Sequence, residues 1–201
     1  DVYKRQVYNA EKYIEKAVTS ALQFDIVKEL ILIEDGSKDK SINVCFKLKK
    51  SDARIHIYRH PQNKNLGAGA SRNLGIQKSS CEFITFLDAD DYYLPNRFDA
   101  EIKYVKNGVL FDGVFGALGF HYYDEKIKLK TQKTFGKSEL TTVYCKTIDE
   151  QTFEGLLGIN REWKGYFHLN TLTIKKDSLD KLTYYFNPIL RLHQDTEFII
   201  R

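Results

Sequence analysis

The sequence has no methionine, not even at position 1, a single tryptophan, and only three cysteines among 201 residues. Cys45, Cys81 and Cys145 are odd in number and far apart. That excludes a disulfide framework and the usual zinc-ligand spacings, and makes a reducing cytoplasm the expected compartment. No apolar run is long enough to cross a bilayer, and no signal-peptide pattern is visible. Neither sign of charge dominates: the net charge is +4 and Lys and Arg are dispersed, so nucleic acid is not an expected partner. The one loose basic grouping, Lys126, Lys128, Lys130 and Lys133, suits a solvated face at least as well as an anionic membrane. Internal repeats and low-complexity segments are also missing.

What remains is an ordinary globular composition, 42% hydrophobic and 29% charged, in a chain long enough for one domain with a real core. Its organising stretch is Phe83-Ile84-Thr85-Phe86-Leu87-Asp88-Ala89-Asp90-Asp91. An apolar run reads as a buried strand of a parallel sheet and ends in three carboxylates, at the carboxyl edge where open α/β sheets bind ligands. In extended backbone, Asp88 and Asp90 point to one side and Asp91 to the other. Two hard oxygen ligands suit Mg²⁺ or Mn²⁺, with waters and substrate phosphates completing the shell. On these residues alone, a metal–diphosphate site and an acidic turn ahead of Leu94-Pro95 are equally good readings.

In chain order, residues 1–6 are polar where the pattern calls for a first buried strand, and read as sequence foreign to the fold. Asn9 is the expected N-cap of a helix whose apolar face carries Tyr13, Ile14, Ala17, Val18, Ala21 and Leu22. Residues 29–33 read as a buried strand ending in Glu34-Asp35, and Ser37 as the cap of the next helix. Residues 54–58 read as a short strand. Asn63-Lys64-Asn65-Leu66-Gly67-Ala68-Gly69-Ala70-Ser71-Arg72 then forms a Gly-rich turn into a helix, read equally as a ligand loop or as close packing. The alternation of strands and helices up to residue 87 predicts a parallel, doubly wound sheet. Beyond it we expect a helix over residues 96–105, a strand-rich stretch over 109–120 and an exposed hairpin over 122–135. A capping box at Thr147-Ile148-Asp149-Glu150, a strand over 166–174 and a short helix over 178–182 follow. Trp163 and Tyr166 read as core edge rather than as a sugar-stacking wall. The helix opening at Asp195 stops after about two turns. With no first strand at one end and a short helix at the other, the chain reads as truncated at both ends.

Four patterns stand in one order: Val7-Tyr8-Asn9-Ala10-Glu11-Lys12-Tyr13-Ile14, Ile33-Glu34-Asp35-Gly36-Ser37, residues 67–76, and Phe86-Leu87-Asp88-Ala89-Asp90-Asp91. Together they closely resemble family 2 glycosyltransferases of the GT-A fold, over about residues 7–98 and more loosely beyond. His193-Gln194-Asp195-Thr196-Glu197-Phe198 resembles that family's acidic motif opening a helix, whose Asp is the usual catalytic base. The resemblance implies an α/β GT-A fold: a Rossmann-like doubly wound sheet, mainly parallel, with a smaller antiparallel acceptor-side part. Residues 1–201 would be one such domain, with a nucleotide-sugar-binding half at 7–108 and an acceptor-side half at 109–201.

The resemblance also implies roles. Tyr8 and Asn9 would sit against base or ribose, and Glu34 and Asp35 would accept hydrogen bonds from a uracil-type imide or a ribose hydroxyl. Arg72 would lie near base or diphosphate, Asp88 would bind ribose or sugar, Asp90 would hold Mn²⁺ or Mg²⁺, and Asp195 would be the catalytic base. Glu34 departs from the family's commoner Asp, which reopens base specificity. The implied reaction is metal-dependent, inverting transfer from a UDP-sugar to an acceptor hydroxyl, on a saccharide or lipid-linked acceptor of bacterial surface polysaccharide or glycolipid synthesis. The parent protein would be cytoplasmic, with peripheral association at the inner membrane face. Asp195 as a simple N-cap, Arg72 as a surface residue and His193 as a structural histidine are the plainer readings. A nucleotidyltransferase would need a Gly-rich loop where Tyr8-Asn9-Ala10-Glu11 stands, and a phospho-receiver domain a lone acceptor Asp and a later Lys. A nucleotide-sugar-binding domain without turnover is the competing class, separated from the enzyme by product formation.

Overall fold

Strand β2 (Glu29–Glu34) explains the layering. Its side chains alternate, and both faces are covered: Leu30 and Leu32 join one apolar cluster, Ile31 and Ile33 the other. A strand buried on both faces needs a near-continuous apolar run and helices above and below, as the doubly wound expectation required. In the computed structural model, residues 2–119, 121, 122, 124–135, 140, 141, 154, 167–190 and 193–200 are described. The first cluster packs α1 (Ile14–Leu22) and α2 (Ser41–Ser51) on the sheet through Ile14, Ala17, Val18 and Cys45, joined by Tyr93 and Phe98. The second packs α3 (Ala68–Lys78) and α7 (Gln194–Ile200) through Ile76, Phe186 and Phe198. Each fully buried Leu or Ile contributes about 1.5–3 kcal/mol, so β2 is a principal stabilising element.

The main sheet has six strands in the order β3-β2-β1-β4-β8-β5. β1 (Val2–Val7), β2, β3 (Ile55–Arg59) and β4 (Phe83–Phe86) run parallel. β8 (Leu172–Lys175) lies antiparallel to β4, and β5 (Gly113–Phe115) antiparallel to β8. β6 (Leu118–Gly119) and β7 (Leu140–Thr141) form a separate antiparallel pair. This is the expected mainly parallel sheet with an antiparallel second part.

Several expectations are corrected. Of residues 1–6, read as foreign to the fold, residues 2–6 belong to the sheet: Val2–Val7 is its central strand, in register with β2 from Val2↔Glu29 to Val7↔Glu34 and with β4 from Val2↔Ile84 to Lys4↔Phe86. The backbone ladder on both sides carries this placement, and it does not need an apolar sequence. Residues 122–135 are not a hairpin but contain helix α5 (Glu125–Phe135). Its Glu, Lys, Leu and Gln are strong helix formers, and Asp124 Oδ1 accepts the Lys126 amide at 2.7 Å as a cap. Charge alternation there mimicked a strand period. Helix α4 (Asp99–Lys106) starts later than residue 96, after a turn holding Pro95. The strand expected over 166–174 is the shorter β8, preceded by a 3₁₀ turn at Leu169–Thr171, and the short helix α6 is Lys176–Leu179. The capping box at Thr147–Glu150, Trp163, Tyr166 and Cys145 lie outside the described residues. No described helix is long and apolar enough to cross a membrane.

Behind β4 lies a buried polar network. Arg97 Nη1 pairs with Glu101 Oε1 at 2.7 Å, with side chains 8% and 5% exposed. Arg97 Nη2 donates to Thr85 Oγ1 and Thr173 Oγ1 (2.9 and 3.1 Å), and Thr173 Oγ1 donates to Glu101 Oε1. Thr85 and Thr173 are register partners across the β4–β8 pair, so this network joins the parallel and antiparallel parts of the sheet.

Candidate active site

The site forms at the carboxyl edge of β1, β2 and β4, where three loops meet. After β1 the chain turns at Asn9, whose φ of 49° is left-handed, a conformation asparagine tolerates. Asn9 is not a helix cap. Its Oδ1 accepts the Lys38 amide at 2.9 Å, and its own amide donates to Ser37 Oγ at 3.2 Å. Ser37 likewise caps no helix, since its hydroxyl donates to the Val7 carbonyl. The start of α2 is held by Asp39, one residue ahead of the N-cap Lys40: its Oδ1 accepts the Ser41 amide and hydroxyl and its Oδ2 accepts the Glu11 amide. Burial pushes the Asp39 carboxyl up, but these hydrogen bonds outweigh it and hold the pKa below the usual carboxylate value. Together they stitch the loop after β1 to the loop after β2 and leave Tyr8 and Tyr13 each 42% exposed beside the cleft.

Glu34 and Asp35 are fully buried. Glu34 Oε2 pairs with Arg59 Nε at 2.7 Å, while its Oε1 accepts the Ser37 amide at 2.5 Å across the Gly36 turn. Asp35 accepts the Leu66 and Gly67 amides at 2.7 and 2.9 Å, and His60 Nε2 lies 3.6 Å from it. Asp35 therefore fixes the Gly-rich turn as it enters α3. An asparagine there can accept only one of the two amides while its own NH₂ faces the other. Asp35→Asn is expected to lower stability by about 1–3 kcal/mol, read as a lower urea midpoint; an unchanged midpoint contradicts this account.

The acidic stretch leaves β4 as a turn, not as extended backbone: the Asp91 amide donates to the Asp88 carbonyl at 3.2 Å. Asp88 and Asp90 still share one side, because both line the cleft, whereas Asp91 Oδ2 accepts from Asn170 Nδ2. Arg72, on the second turn of α3, reaches Asp88 Oδ1 through Nη2 at 2.9 Å and lies over the Phe186 ring. The resulting open cleft of about 430 Å³ is lined by Tyr8, Asn9, Tyr13, Arg72, Asp88 and Asp90, with Ala10, Ala68 and Ala89 between them.

Five of the eight residues expected in the site, Tyr8, Asn9, Arg72, Asp88 and Asp90, thus line one cleft. Glu34 and Asp35 stand behind it as supports of its loops. Asp195 lies half-buried in the first turn of α7, its Oδ1 accepting the Thr196 amide at 3.0 Å. α7 abuts the start of α3, since a Cβ on Gly69 would stand 2.6 Å from Gln194 Oε1. His193 takes a left-handed φ of 58°, and its carbonyl accepts the Glu197 amide, a helix-terminal role. No cluster of three or more metal-ligating side chains occurs among the described residues. The donors on offer are the hard carboxylate oxygens of Asp90, exposed, and Asp88, which suit an ion that takes its other ligands from water and phosphate. Asn170 and Arg59 escaped sequence reasoning because their partners lie far away in the chain and only the strand register brings them near. Arg97 pairs with Glu101 four residues on, but its contacts with Thr85 and Thr173 come together only across the β4–β8 pair.

Comparison with known proteins supplies the family. The sequence model described as Glycosyl transferase family 2 matches residues 6–168. An uncharacterized glycosyltransferase of Haemophilus influenzae is 37% identical over 100 residues, covering 49% of this chain and 39% of that protein. Glycosyltransferase GlyG of Streptococcus pneumoniae is 32% identical over 120 residues, covering 59% and 38%. The chain thus spans about two fifths of the length of these relatives. Among solved structures, S. aureus TarS 1–349 in complex with UDP-GlcNAc superposes with a TM-score of 0.67 at 15% identity, over 99% of this chain and 53% of that one. The mannosyltransferase PcManGT from Pyrobaculum calidifontis, in complex with GDP-Man and Mn²⁺, does so with 0.60 at 13% identity, over 99% and 51%. These likenesses show the GT-A type of α/β fold, and with the family model matching most of the sequence, this chain belongs to glycosyl transferase family 2.

Proposed function

We propose that this chain is the catalytic domain of a glycosyltransferase that moves a sugar from a nucleotide-diphospho-sugar, with UDP the favoured nucleotide, to an acceptor hydroxyl. The observation that carries this reading is the convergence of Tyr8, Asn9, Arg72, Asp88 and Asp90 on one cleft from the loop after β1, helix α3 and the turn after β4. Complexes of fold neighbours with UDP, UDP-GlcNAc and GDP-Man support the ligand class.

In this reading Tyr8 and Asn9 hold base and ribose, with Glu34 and Asp35 bracing the loops beside them. Asp88, oriented by Arg72, takes the ribose or sugar hydroxyls. Asp90 holds a divalent cation, Mn²⁺ or Mg²⁺, which when bound neutralises charge on the diphosphate leaving group. Asp195 accepts the proton of the attacking acceptor hydroxyl. One displacement from the face opposite the leaving nucleotide inverts the anomeric centre. Residues 7–108 form the donor half and 109–201 the acceptor half. The acceptor is a saccharide or lipid-linked saccharide of bacterial surface polysaccharide or glycolipid synthesis, and the parent protein works in the cytoplasm at the membrane's inner face.

The test is nucleotide release. Incubation with UDP-GlcNAc, UDP-glucose and UDP-galactose and Mn²⁺, with saccharide acceptors or water as acceptor, is expected to give metal-dependent UDP release. Tight UDP binding without release from any donor would instead favour a binding domain without turnover.

A further inference from the structure

Asn170 is 3% exposed and stands at the junction of the two parts of the sheet. The β4–β8 register pairs Thr85 with Thr173. Continued outward, that antiparallel register sets Asn170 opposite Asp88, although the backbone has left the strand and turned through the 3₁₀ segment Leu169–Thr171. The Asn170 side chain uses both ends of its amide on the acidic turn. Its Oδ1 accepts the Asp88 amide at 3.1 Å, and its Nδ2 donates to Asp91 Oδ2. Its own backbone amide is held by His168 Nδ1 at 3.3 Å. The turn therefore closes on itself through the Asp91 amide and the Asp88 carbonyl, and one side chain from the second half of the chain grips it at both ends.

We infer that Asn170 is a positioning residue for the donor site: it fixes the acidic turn so that Asp88 faces Arg72 and Asp90 faces the cleft. This rests on the donor-site reading above, since it assigns a function to the geometry of that turn. The chemistry requires an amide. A side-chain amide carries an acceptor and a donor on two separate atoms, and in Asn170 these meet the Asp88 amide and Asp91 Oδ2. A carboxylate at 170 could still accept from Asp88 but would face Asp91 with like charge. An apolar residue would leave both partners unmet. Outer residues that orient a metal-binding carboxylate typically matter at the level of 10- to 100-fold in affinity.

The experiment compares wild type, Asn170→Asp, and the exchanged double variant Asn170→Asp with Asp91→Asn. In the exchanged pair a carboxylate at 170 again accepts from Asp88 and an amide at 91 donates to it, so the grip is rebuilt with its polarity reversed. Two readings are taken on each: the hydrogen exchange of the Asp88 amide in the ligand-free protein, and UDP affinity with Mn²⁺. The expected result is a protected Asp88 amide in wild type, faster exchange and about 10- to 100-fold weaker UDP binding in Asn170→Asp, and recovery of both in the exchanged pair. Equal thermal melting of the three proteins would separate positioning from general stability. An Asp88 amide that exchanges equally in wild type and Asn170→Asp overturns the inference, whatever the nucleotide result. So does wild-type UDP affinity in Asn170→Asp, or an exchanged pair that stays as weak as the single variant. A wild type that binds no nucleotide while Asn170→Asp loses Asp88 protection overturns the donor-site reading instead and leaves the grip on the turn established.

Discussion

Asp195→Asn is expected to lose sugar transfer by about 10²- to 10⁴-fold, the usual size of a general-base contribution, while UDP-sugar affinity stays near that of wild type. The two effects separate because Asp195 is not among the residues lining the donor cleft. It stands in the first turn of α7, which packs behind the cleft: Gln194 crowds Gly69, one turn before Arg72, and Phe198 stacks on Phe186, the ring beneath Arg72. Asparagine is close to isosteric and keeps an oxygen to accept the Thr196 amide, so the helix start survives while the proton acceptor is lost. The measurement is initial UDP release at saturating donor, alongside calorimetric affinity for the donor. A variant that releases UDP at the wild-type rate would reduce Asp195 to a first-turn carboxylate at the helix N-terminus, a role its position also suits. A variant that loses transfer and donor binding in proportion would place it on the donor side.

The largest stability effect is expected at Arg97. Its guanidinium is buried against Glu101, Thr85 and Thr173 and lies over the rings of Tyr93 and Phe98. Arg97→Leu removes the charge partner of a carboxylate that is itself 5% exposed. Breaking such a pair from one side costs about 3–5 kcal/mol, because the remaining ion stays buried. Replacing both members by apolar residues of similar volume is far less harmful, so adding Glu101→Leu to Arg97→Leu is expected to recover much of the loss. Urea unfolding of the two single variants and the double variant gives the comparison. A cost below about 1 kcal/mol for Arg97→Leu would mean that solvent reaches the pair and that the network does not tie β4 to β8. Because this network borders the strand that delivers Asp88 and Asp90, its loss is also expected to weaken nucleotide binding before the protein unfolds.

The parts of the molecule legible from sequence are those where one physical signal acts locally. β2 and β4 announce themselves as apolar runs ending in acids because both their faces are covered, and the helix face of Ile14, Ala17, Val18 and Ala21 follows a 3.6-residue period. Tyr8, Asn9, Arg72, Asp88 and Asp90 are legible as a group through the family resemblance of the ordered motifs that hold them; Tyr8-Asn9 and Asp88–Asp90 follow strands that end at one sheet edge, and Arg72 stands on α3 behind the Gly-rich turn. Residues 2–6 hide their strand from sequence reasoning because a central strand is defined by its ladder as much as by hydrophobicity. The helix over 125–135 replaces the expected hairpin because Lys126, Ile127, Lys128 and Leu129 alternate in polarity like a strand while their residue types favour a helix. Glu34 illustrates a subtler limit. Its place at a strand end was plain, but Arg59, its partner at 2.7 Å, lies on a neighbouring strand, and only the register of β2 against β3 couples them. Asn170 is the same case across the antiparallel boundary.

The central claim, that the acidic turn and the loop after β1 form a metal-dependent nucleotide site, is tested most directly by calorimetric titration of UDP into the protein. The titration is run with Mn²⁺ and with chelator, on wild type and on Asp90→Ala. Asp90 is exposed at the cleft and no hydrogen bond from its side chain holds the fold among the described contacts, so its removal leaves a folded protein for comparison. The account predicts UDP binding that requires Mn²⁺ in wild type and is lost in Asp90→Ala. Binding that is indifferent to both the ion and Asp90, or no binding of UDP, GDP or dTDP by a folded wild type, would contradict it.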